Sequence, residues 1–86
     1  MKKGTIVYLD GIKCHMGEID HQTTIDGEEY YIMSSVNIDG CYYVNNTNES
    51  TDNGTFDIEW AYPVKCCSEA SEEDAAYYNA HQHENC

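Results

Sequence analysis

The chain contains no arginine and only four lysines, Lys2, Lys3, Lys13 and Lys65. Proteins that grip a phosphate backbone do so with clustered Lys and Arg, so this scarcity excludes direct nucleic-acid binding. No run approaches the ~18 consecutive apolar residues of a membrane span. The basic start, Met1-Lys2-Lys3-Gly4-Thr5, is followed by no apolar signal core, because Asp10 and Lys13 interrupt it. The expected location is therefore the cytoplasm. Proline occurs once, at Pro63. No Gly-rich phosphate loop, nucleophile elbow or zincin motif is present, so no enzyme activity and no cofactor are expected.

What is abundant is acid. Sixteen Asp and Glu residues give a formal net charge of −12 over 86 residues. That field attracts a strongly basic surface and speeds encounter with it. The length corresponds to one domain over residues 1–86, with a modest core. The cysteines, Cys14, Cys41, Cys66, Cys67 and Cys86, are odd in number, which points to free thiols in a reducing compartment. Asn-x-Ser/Thr patterns at Asn45, Asn48 and Asn53 read as polar loop composition.

Residues 1–67 read as short strands between turns. Asp10-Gly11, Asp26-Gly27, Asp39-Gly40 and Asn53-Gly54 are hairpin turn signals. They separate strands at Gly4–Leu9, Ile12–Ile19, Glu28–Ser35 and Cys41–Val44, with a fifth in the alternating stretch Phe56–Tyr62. Val64–Cys67 is a candidate short last strand. Residues 68–83 read as a C-terminal helix, with Ser71 or Ser68 as N-cap and Asp74 completing a capping pattern. At 100° per residue, Glu69, Glu72 and Glu73 fall on one side and Ala70, Tyr77, Tyr78 and His81 on the side expected to dock. The fold class expected is α+β, mainly β: a five-stranded antiparallel barrel or curved sheet carrying one C-terminal α-helix.

Two segments carry a family resemblance. Lys2-Lys3-Gly4-Thr5-Ile6-Val7-Tyr8-Leu9-Asp10-Gly11 resembles the first strand of SH3-like barrels. Trp60-Ala61-Tyr62-Pro63-Val64 is similar to the region before their final strand. The resemblance spans roughly residues 4–66 and implies the barrel. The aromatic spacing of peptide-binding SH3 domains is not evident, so polyproline recognition does not carry over.

Three groups of residues offer chemistry. Cys14 and His15 are adjacent on a strand, so their side chains are expected on opposite faces, badly placed for proton transfer. Cys66, Cys67, His81, His83 and Cys86 offer zinc-type ligands, but no Cys-x-x-Cys knuckle exists and no metal is expected. The loop Asn48, Asp52, Asn53 and Gly54 lacks the acidic density of a calcium loop.

The surface is more informative. Asp57 and Glu59 share a strand face about 6.6 Å apart, and helical acids repeat at about 5–6 Å. Phosphates along a DNA strand sit on the order of 7 Å apart. Further acids at Glu18, Asp20, Asp26, Glu28 and Glu29 gather near the second turn. Tyr30-Tyr31, Tyr42-Tyr43 and Tyr77-Tyr78 are neighbouring pairs; in the strands, one of each faces outward. Exposed Tyr beside carboxylates suits an Arg-rich partner. In type, the chain resembles phage-encoded acidic inhibitors that mimic DNA, the anti-CRISPR and anti-restriction proteins. That resemblance implies a partner: a basic nucleic-acid-binding protein of host defence, met in the host cytoplasm. The candidate contact residues are Asp57, Glu59, Glu69, Glu72, Glu73, Tyr77, Tyr78, Glu28 and Glu29. The alternative is a small SH3-like adaptor that binds through its tyrosines. A monomer and an edge-paired dimer are both compatible with the sequence.

Overall fold

A computed structural model of the chain describes residues 1–45 and 60–83. Three Asp-Gly pairs build the sheet. Asp10, Asp26 and Asp39 have φ of 53°, 50° and 53°, and Gly11, Gly27 and Gly40 have φ of 72°, 84° and 90°. Two successive positive φ values make a type I′ turn, whose twist matches that of the strands it joins. Each pair is the whole loop between two strands. They connect β1 (Ile6–Leu9), β2 (Ile12–Ile25), β3 (Glu28–Ile38) and β4 (Cys41–Val44) into an antiparallel meander.

Strand β5 (Ala61–Pro63) then pairs with the first half of β3, on the edge that β4 uses further along. A 3-10 turn (Val64–Cys66) leads to β6 (Cys67–Glu69), which pairs antiparallel with β1. The strand order is β4-β3-β2-β1-β6, with β5 on β3. Among the described residues this is an open antiparallel sheet of six strands, five in the path and β5 beside it, rather than the five expected. Of the expected fifth strand, Ala61 and Tyr62 lie in β5, and residues 56–59 lie outside the described residues. The segment expected as a last strand, Val64–Cys67, is mostly the 3-10 turn, and the true last strand follows it.

At the ordinary rise per residue, the 14-residue β2 would be on the order of 43 Å long. The molecule extends 35 × 24 × 18 Å along its principal axes, so a straight β2 would exceed its longest axis and need nearly its full diagonal. Irregularities at Glu18/Ile19 and Ile19/His21 supply the bend, as bulges do elsewhere. The curl gives the sheet two apolar faces. One holds Val7, Leu9, Ile19, Tyr31, Met33 and Val36, flanked by Trp60, Tyr62 and Val64. The other holds Ile6, Met16, Ala70 and Tyr78.

That second face is covered by α1 (Glu72–Ala80). The helix is shorter than the expected 68–83, because Ser68 and Glu69 are claimed by β6. Ser71 caps it, its hydroxyl accepting from the Asp74 N–H at 3.1 Å. Tyr8 ties the cap to the sheet: its hydroxyl donates to Asp74 and accepts from the Ser71 N–H at 3.2 Å. Among the described residues, no helix is long and apolar enough to cross a membrane.

Gly17 marks a close approach of β2 to the β3 side chain Met33. A Cβ placed there would lie 2.9 Å from Met33 Sδ and 3.3 Å from the Ser35 carbonyl oxygen. Met33 is fully buried, so any shift of its side chain must be accommodated within the core. Gly17→Ala is therefore expected to cost about 1–3 kcal/mol, the ordinary cost of overpacking a core. Urea unfolding checks this; an unchanged or raised midpoint would contradict it.

Candidate functional site

The acids expected to form the contact surface divide between two ends of the molecule. Glu69 ends β6, and Glu72 and Glu73 occupy the first turn of α1; all three are exposed. They do not share one helix, as the sequence reading supposed. They lie close along the chain because only Ala70 and Ser71 link β6 to α1. From Cys66 onward the chain contains no lysine; the nearest cations in the sheet are Lys2 and Lys3, which precede β1, the strand paired with β6. Glu18 lies near it, opposite Ile6 on β2.

Glu28 and Glu29 belong to the other end. Glu69 is level with Val7 and Gly17, whereas Glu28 is level with Ile25. The separation is on the order of 26 Å along β2. There, Lys65 Nζ lies 3.1 Å from Glu28. Glu29 accepts from Thr24 and Gln22, and those two hydrogen bonds hold its carboxyl below the usual range. Asp57 and Glu59 lie outside the described residues.

The tyrosine pairs resolve as the strand rule demands. Tyr31 is buried, and Tyr43 is half exposed. On α1, Tyr77 is exposed and stacks on His81, ring centroids 3.9 Å apart. The His81 ring also donates to the Tyr77 carbonyl oxygen at 2.8 Å. Tyr78 is a correction to the expected contact set. It is fully buried, edge-on to Tyr42, with its hydroxyl bonded to Ser35. Burial pushes its phenol far above the usual range, so it stays neutral. Tyr77 is the member of the pair that a partner can reach.

The cysteines depart from expectation twice. Cys41 is disulfide-bonded, so the expectation of free thiols fails there, while Cys14, Cys66 and Cys67 are free. Burial pushes the Cys67 thiol to about 11. Cys66, Cys67, His81 and His83 form no converging ligand set among the described residues, and Cys86 lies outside them.

Cys14 and His15, by contrast, do come together. Their ligand atoms and a carboxylate oxygen of Asp39 all lie within 4.8 Å of one another. The adjacent-residue argument placed the two side chains apart, and the β3–β4 turn overturns it. His15 pairs with Ile38, and the Asp39 N–H donates to the Cys14 carbonyl at 2.9 Å. Asp39 thus sits at the rim of the sheet, where a side chain from either face can reach it. His15 Nε2 lies 3.3 Å from Asp39 Oδ1. Hydrogen bonding from Cys14, then from His15, keeps the Asp39 carboxyl below its usual range, and the same bond to Asp39 pushes the Cys14 thiol up. A thiol held protonated by a carboxylate is the reverse of an activated nucleophile.

No family model matches the chain, and no curated protein or solved structure matches it either. The functional reading rests on the geometry above.

Proposed function

We propose that this protein is an inhibitor that imitates nucleic acid and occupies the basic nucleic-acid-binding surface of another protein. The observation that carries the reading is the exposed acidic end formed by Glu69, Glu72 and Glu73, in a stretch without lysine. Glu69 at the end of a strand and Glu72 and Glu73 in the first turn of a capped helix are carried by ordered elements rather than by a loop. Tyr77 stands on the same helix as an aromatic anchor for Arg side chains. By type, the target is a host-defence protein such as a CRISPR effector or a restriction enzyme, met in the cytoplasm. The SH3-like reading of the sheet belongs here too. The four-strand meander, followed by a 3-10 turn that brings β6 back onto β1, supports it.

Salt dependence tests the proposal. Tagged protein is used to capture partners from a lysate, and the retained proteins are washed at low and at high salt. Retention of a nucleic-acid-handling protein that is lost at high salt supports mimicry, because exposed charge attraction is screened over about 8 Å at physiological ionic strength. Retention that survives high salt unchanged supports the second reading, an adaptor that docks through aromatic side chains. A shallow depression of ≈ 250 Å³ lined by Val36, Tyr43, Trp60 and Tyr62 favours that alternative.

A further inference from the structure

The Cys14–His15–Asp39 cluster lies outside the acidic end and is not used by the proposed inhibition. We propose that it binds a single divalent transition-metal ion of the zinc class, with one coordination position left open to solvent or to a partner's side chain.

All three residues stand at one end of the β2–β3 hairpin, where pairing fixes their relative positions. His15 is level with Ile38, and the Cys14 carbonyl accepts the Asp39 N–H at 2.9 Å. Asp39 is held in the left-handed region, φ 53°. The turn is locked from within by Asn37, whose buried Oδ1 accepts the Gly40 N–H at 3.0 Å. The carboxylate is therefore aimed by a rigid two-residue loop.

The donor atoms are already near metal-binding distances. Zinc binds sulfur at about 2.3 Å and nitrogen or oxygen at about 2.0–2.2 Å, which places tetrahedral ligand atoms roughly 3.3–3.7 Å apart. The His15–Asp39 separation, 3.3 Å, already meets this, and all three atoms lie within 4.8 Å. Cys14 and Asp39 are exposed, so side-chain rotation alone closes the remaining gap.

The donor set selects the ion. One sulfur, one imidazole nitrogen and one carboxylate oxygen suit zinc, cobalt, nickel or copper; magnesium and calcium prefer oxygen alone. Binding replaces the Cys14 thiol proton, which passes to solvent, while the His15 nitrogen enters neutral. The chain's charge of −12 raises the local concentration of any cation. Three protein ligands fill three positions of a tetrahedron, as in sites that keep an exchangeable fourth ligand.

The test uses the untagged full chain, stripped with chelator and titrated anaerobically with Co²⁺, then back-titrated with Zn²⁺. The expected result is one equivalent of Co²⁺ bound with a thiolate-to-cobalt charge-transfer band, displaced by Zn²⁺. Cys14→Ser is expected to abolish the band. Asp39→Asn, which tolerates the left-handed conformation, and His15→Gln are each expected to weaken Zn²⁺ binding by at least about tenfold, since even outer-shell losses cost that much. The paired variant Cys66→Ser/Cys67→Ser is expected to leave the band intact. Absence of the band, its persistence in Cys14→Ser, or its loss in the paired variant would overturn the proposal. If Cys14→Ser fails to fold, Asp39→Asn decides the matter, because its partner thiol remains. In that case unchanged affinity means a plain cross-strand hydrogen-bond cluster.

Discussion

Replacing Tyr78 with alanine is expected to destabilise the protein by about 3–5 kcal/mol, the usual cost of removing a fully buried aromatic side chain. Stability for a chain of this length is on the order of 4–13 kcal/mol, so the loss takes a large share of it. Tyr78 has no solvent exposure and packs with Ile6, Met16 and Ala70. It is the buried residue of α1, so it joins the helix to the sheet. Tyr78→Phe separates packing from hydrogen bonding. It keeps the ring against Tyr42 but leaves the buried Ser35 hydroxyl without its partner, at an expected cost of about 1–3 kcal/mol. Urea unfolding of both variants checks the pair. A Tyr78→Ala loss no larger than that of Tyr78→Phe would show that the ring does not anchor the helix.

The second large effect concerns the acidic end. Reversing Glu69, Glu72 and Glu73 to lysine together is expected to weaken partner binding by at least about a hundredfold, or roughly 2.7 kcal/mol. Each reversal removes an attraction and places a like charge against a basic surface, which is costly in itself. Reversing Glu28 and Glu29 is expected to do much less. Those residues stand at the far end of β2, and their carboxylates are engaged by Lys65, Thr24 and Gln22. The triple variant also loses favourable interactions at a helix N-terminus, about 0.3–1 kcal/mol for each first-turn acid. Circular dichroism at the assay temperature separates lost binding from lost fold. Equal losses from the two sets of reversals would contradict the assignment of the contact to the helix end.

Much of this arrangement is legible in the sequence, for local reasons. Asp-Gly pairs tolerate positive φ at adjacent positions, and all three form turns where they occur. The helix start is equally local, with Ser71 accepting the Asp74 N–H. The second half of β2 is harder to see. Asp20-His21-Gln22-Thr23-Thr24 has no apolar alternation, and it is a strand because β3 pairs with it throughout. A helical projection places Tyr77 and Tyr78 on one broad face; only the docked sheet decides that Tyr78 goes inside.

Cys14, His15 and Asp39 are an instructive case. Counting outward from Asp26-Gly27 as a two-residue hairpin sets Cys14 opposite Asp39, and the two irregularities in the pairing cancel. The juxtaposition is thus encoded in turn position and strand length. Ending β2 at Ile19 hides it, because the hairpin is then too short to reach. Nothing local signals that Cys41 is disulfide-bonded, since an odd cysteine count is compatible with a bridge and leftover thiols.

The central claim is that the acidic end takes the place of nucleic acid on a basic protein. The most direct measurement is competition: the partner captured at low salt is incubated with its own labelled DNA or RNA, and this protein is titrated in. The account predicts displacement of the nucleic acid at stoichiometric protein, with displacement lost in the Glu69, Glu72 and Glu73 reversal. A ternary complex, in which nucleic acid and this protein occupy the partner together, would contradict it.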